Sequence, residues 1–109
     1  MAVPRLPECD EVVITRPEIR AIFKESVTEA FRKGSDAFLW EVKLLTSAWE
    51  FPLREISQPV ALWHGEIDPF SNGHSLAAML PNCRETFLPE GHLLFFTHWP
   101  EILRQLVSL

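Results

Sequence analysis

Apolar positions divide the chain into two helical patterns followed by a strand–helix–strand–helix pattern. Ile19, Ile22, Phe23, Val27, Ala30 and Phe31 recur at spacings of three and four, which predicts an amphipathic helix. Thr15-Arg16-Pro17-Glu18 reads as its start, with Thr15 as N-cap, Pro17 in the first turn and Glu18 three residues past the cap. Arg32 and Lys33 suit the negative end of the helix dipole, and Gly34 closes the helix. Ser35 or Asp36 caps a second helix running to about Trp49. Phe38, Val42, Leu45 and Trp49 make one stripe, Leu39, Trp40 and Leu44 widen it, and Phe51-Pro52 stops it. Ahead of both helices, residues 1–14 read as an extended lead-in that holds Pro4 and Pro7. Its Val12-Val13-Ile14 stretch is too short to define an element.

The pattern changes at Pro59. Val60-Ala61-Leu62-Trp63 is apolar without alternation, as expected of a parallel strand covered on both faces. Gly65 breaks it and Asp68-Pro69 opens a loop. Leu76, Met79 and Leu80 then give a short helix one apolar face, and Pro81-Asn82 ends it. Residues 84–88 read as a second strand, closed by Pro89-Glu90-Gly91. Leu93-Leu94-Phe95-Phe96 is an apolar turn, and His98-Trp99-Pro100-Glu101 restarts a helix with Ile102, Leu103 and Leu106 facing inward. Asp68 and His92 thus both follow the carboxyl ends of strands, the edge where sites in open α/β sheets collect.

Composition narrows the function classes. The chain has 109 residues, one domain at most, and 47% hydrophobic content is enough for a core. A net charge of −5 argues against nucleic acid or an anionic membrane as the main partner. No apolar run approaches a membrane span, and the N-terminal residues lack the apolar core of a signal peptide. Cys9 and Cys83 are isolated and read as reduced thiols, which fits a cytoplasmic location. His64, His74, His92 and His98 match no metal-ligand spacing, so neither metal nor cofactor is expected.

The segment from Pro59 onward resembles the C-terminal end of an α/β-hydrolase. In that family the acid of a Ser-His-Asp triad follows the penultimate strand in an H-G-x-x-D context, and the histidine follows the last strand as G-H. His64-Gly65-Glu66-Ile67-Asp68 matches the first motif and Gly91-His92 the second. The likeness extends upstream through Trp49, Phe51 and Ile56 and covers about half the chain. It implies a mixed α/β fold: cap-like helices over residues 15–56, then a C-terminal hydrolase segment over 57–109, the whole a single unit from residue 15. By the same resemblance Asp68 is the triad acid, His92 the base, and the substrate a small ester. Phe38, Trp40 and Trp49 would then line an acyl or aromatic pocket, although a stripe of this kind is also ordinary core packing.

The nucleophile elbow, G-x-S-x-G, belongs before the acid in that family and is absent. Gly73-His74-Ser75-Leu76-Ala77 imitates it, but Ser75 follows Asp68 and lies where a helix should begin. The expectation is therefore a hydrolase fragment that supplies acid and base but is inactive alone. Completion would come from a separate chain bearing the N-terminal half, and only then would an ester be turned over. The alternative is a non-catalytic association module that keeps the hydrolase tail as a scaffold. In either case the unpartnered edge of an apolar strand favours a homodimer or a partner chain.

Overall fold

The computed structural model describes residues 5–109. It is a mixed α/β structure: helices surround a two-stranded parallel sheet. In chain order the elements are α1 (Glu8–Ile14), α2 (Pro17–Ala30), α3 (Asp36–Thr46), a 3-10 turn (Leu53–Glu55), β1 (Val60–Gly65), α4 (Gly73–Met79), β2 (Cys83–Leu88) and α5 (Leu94–Leu106).

β1 and β2 run parallel, in register from Val60 opposite Cys83 to Gly65 opposite Leu88. The strands therefore end level, and the loops after them start from the same edge. α4 makes the crossover that a parallel pair requires. The Trp63 indole donates to Gln105 Oε1 of α5 at 2.6 Å, whereas the His64 ring lies directly against Gly73 of α4. Successive side chains of a strand point to opposite faces. α5 and α4 consequently cover opposite faces of β1.

The first departure from the sequence reading is at the N-terminus. The expected extended lead-in is helical from Glu8 to Ile14, while residues 1–4 lie outside the described residues. Val13 of α1, Ile19 of α2 and Leu93 form the buried cluster, with Ile14 and Phe96 packed on it. Burial of Val13 in this cluster outweighs the weak local signal of a short segment. Thr15 is not the cap of α2. Its hydroxyl donates to the Glu11 and Val12 carbonyls, both at 3.0 Å, and so closes α1, leaving Arg16 at the N-cap of α2. α3 ends at Thr46 rather than near Trp49, because the Thr46 hydroxyl donates to the Val42 carbonyl at 2.8 Å and Ser47 leaves the helical conformation. Gly34, at φ +100°, makes the turn between α2 and α3. The expected apolar turn at Leu93–Phe96 is largely the first turn of α5, and the restart is a kink at His98 within one helix, two residues before Pro100.

Candidate functional site

Asp68 and His92 are brought together from the two loops that follow the level strand ends. Backbone hydrogen bonds stitch these loops: the Glu66 amide donates to the Leu88 carbonyl at 2.8 Å and the Ile67 amide to the Glu90 carbonyl at 3.1 Å. The approach requires glycine at position 65, where a Cβ would strike the Glu90 and Gly91 carbonyls. The result is a hydrogen bond of 2.9 Å between His92 Nδ1 and Asp68 Oδ2.

The Asp68 carboxylate has further partners. Its Oδ1 accepts the Phe70 amide at 2.7 Å, an Asx turn set up by Asp68-Pro69, and its Oδ2 accepts the Ser71 hydroxyl at 2.8 Å. His64 Nε2 stands 2.9 Å from the Ser71 hydroxyl oxygen and 3.5 Å from Asp68 Oδ2. Since Ser71 gives its proton to Asp68, His64 Nε2–H donates to Ser71. Three donor side chains, His92, Ser71 and, through Ser71, His64, thus converge on one carboxylate. His64 Nδ1 is buried and finds no hydrogen-bond partner among the described residues.

The Asp68 side chain is 4% exposed. Burial pushes its carboxyl up, but His92, the Phe70 amide and the Ser71 hydroxyl, with the charge of His92 added, together outweigh it and hold it below the usual carboxylate range. An ionised Asp68 fixes the proton of His92 on Nδ1 and leaves Nε2 as the basic nitrogen. The His92 side chain is 48% exposed, so the ring is open to solvent. The geometry is that of an oriented general base.

A second carboxylate, one that no local sequence signal marks, organises the histidine loop. Asp10 of α1, 1% exposed, accepts the His92 amide on Oδ2 at 2.8 Å and the Leu93 amide on Oδ1 at 2.9 Å. It therefore ties down the turn that leads into α5 across 82 positions of sequence. A Cβ on Gly91 would collide with that carboxylate, which explains the glycine before His92. Asp10 holds the backbone of His92 while Asp68 holds its ring. Phe70 adds an edge-on contact to the imidazole, with ring centroids 5.2 Å apart at 70°.

The remaining candidates lie elsewhere. Ser75 sits in the first turn of α4, where its amide donates to the Asn72 cap at 3.1 Å. His74 pairs with Glu66 and His98 with Glu90, so neither is directed at Ser75. Cys83 begins β2 at the opposite end of the sheet from Asp68, and burial, then Glu85, pushes its thiol up, away from the reactive thiolate. Among the described residues no group of three or more His, Cys, Asp or Glu side chains is arranged to hold a metal ion. Nor is any described helix long and apolar enough to cross a membrane.

Fold and site together define a mixed α/β chain with an aspartate–histidine dyad at the carboxyl edge of a parallel strand pair. Comparison with protein-family models, curated proteins and solved structures gives no match to this chain.

Proposed function

We propose that this chain is the acid-and-base portion of a serine α/β-hydrolase acting on ester-type substrates, with Asp68 as the triad acid and His92 as the base. The observation that carries the reading is the 2.9 Å Asp68–His92 bond, formed by the two motifs in the order and at the strand ends the hydrolase pattern requires. His92 Nε2 would take the proton of a serine hydroxyl and return it to the leaving alcohol, while Asp68 stabilises the imidazolium. The serine and the oxyanion donors come from polypeptide outside these residues. Without them the dyad alone gives little acceleration.

The test is to identify the coding sequence immediately upstream and join or co-express its product with this chain. The reading expects a G-x-S-x-G segment there and p-nitrophenyl acetate turnover by the combined polypeptide. That turnover should fall on the order of a thousandfold or more in His92→Ala. Turnover indifferent to His92→Ala, or fluorophosphonate labelling of Ser75 in the chain alone, would overturn it.

A second reading, an association module, is favoured by the surface. The two-stranded sheet leaves the outer edge of each strand unpaired among the described residues, and α3 has no buried residue, exposing Phe38, Leu39, Trp40 and Leu45. It expects a dimeric mass by light scattering at micromolar concentration. A monomer there that also remains a monomer at high concentration would remove it.

A further inference from the structure

We infer that His92 borders a binding site for a neutral apolar acyl or aryl group, built jointly by the N-terminal helices and the two catalytic-edge loops. A cavity of about 380 Å³ lies against the imidazole, walled by Ile14 of α1, Phe23 of α2, Phe70 of the Asp68 loop, and Leu93 and Phe95 beyond His92. That volume falls at the small end of the ~300–1,000 Å³ typical of small-molecule sites. Among the described residues, His92 contributes the one polar side chain to its walls. A charged ligand would lose hydration there with only the His92 imidazole to replace it, whereas an apolar group would gain burial.

The position of the cavity relative to the imidazole decides what the group belongs to. His92 also borders a smaller hollow of about 180 Å³ that includes Asp68, Ser71 and His64. The imidazole therefore stands between the hollow that holds the Asp68 carboxylate, toward which Nδ1 is tied, and the apolar cavity, with Phe95 lining both. A substrate with a polarised carbonyl and an apolar substituent meets that division: the substituent enters the cavity and the carbonyl stays at the imidazole. Phe70 serves both sides, since its amide holds Asp68 while its ring stands against His92 and lines the cavity. Phe38, Trp40 and Trp49, the aromatics the sequence offered for such a pocket, are not among its walls.

This site deepens the hydrolase reading by naming the substituent, and the binding it requires is measurable without turnover. The probe is benzylacetone, a neutral aryl ketone with no leaving group, titrated into the full chain at about pH 8, where an ordinary histidine is neutral. The readouts are the His92 ring carbon-bound protons and the methyl signals of Ile14 and Leu93. The expected result is a saturable shift of all three, weaker by about tenfold or more for the carboxylate hydrocinnamate. Phe23→Asp, a change at a half-exposed position, should weaken benzylacetone binding about tenfold or more while leaving the His92 Nδ1 proton signal in place. Absence of any shift up to the solubility of the ketone overturns the site, as does a shift that Phe23→Asp leaves unchanged. Loss of the Nδ1 signal in the unmodified chain would instead count against the dyad, and so against the hydrolase reading, while the binding result stood on its own.

Discussion

Two aspartates do different work at one histidine. Asp68 is buried, accepts three hydrogen bonds, and has its carboxyl held below the ordinary range. Since its folded value lies below the ordinary carboxylate value of about 3.9, ionised Asp68 adds stability that is fully present above that pH. The contribution fades as pH falls through the lower folded value. Asp68→Asn should therefore cost about 1–3 kcal/mol near neutrality, and the gap between variant and parent in urea unfolding should narrow below about pH 4. A gap that stays constant down to strong acid would contradict this. Asp10 acts on the backbone instead, and its removal strands the His92 and Leu93 amides in a buried loop. Asp10→Ala is expected to cost on the order of 2 kcal/mol and to broaden or shift the His92 ring signals, although Asp10 does not touch that ring. Unaltered ring signals would show that the loop holds its place without that carboxylate.

At the scale of elements, the strand–helix–strand unit was legible because its signals are local: an unbroken apolar run, a glycine break, a proline-asparagine stop and a second strand. Register and level ends follow from parallel pairing of two six-residue strands, which is why both loops, and with them Asp68 and His92, share an edge. What the sequence hid is non-local. The stretch around Cys9-Asp10-Glu11 is short and proline-preceded, and its helix is worth forming only because Val13 packs against Ile19 and Leu93. Ser71, and the place of His64 beside it, were missed for a milder reason. Asp68-Pro69 signals an Asx turn, but which neighbour the turn delivers to the carboxylate depends on the fold. The helices differ in how firmly they are held: α1 and α5 meet the buried cluster, whereas α3 buries nothing. Amide hydrogen exchange should run fastest over α3 and slowest over β1, with protection of the β1 amides exceeding that of α3 by at least about a hundredfold. Equal protection would mean that α3 is covered in solution, as the association reading requires.

For the molecule as a whole, residues from both ends of the chain converge on one imidazole. α1 supplies the carboxylate under the loop, the turn after β1 supplies the one beside the ring, and α2 adds Phe23 to the cavity wall. The C-terminal segment does not build this site alone, because α1 supplies Asp10. The geometry requires that His92 carry its proton on Nδ1, donated to Asp68, and leave Nε2 free. Long-range proton–nitrogen correlation on the nitrogen-15-labelled full chain at about pH 8 reads this directly. His92 is expected in the Nδ1–H tautomer, reverting to the Nε2–H form in Asp68→Asn. An Nε2–H tautomer in the unmodified chain, or one unaffected by Asp68→Asn, would contradict it.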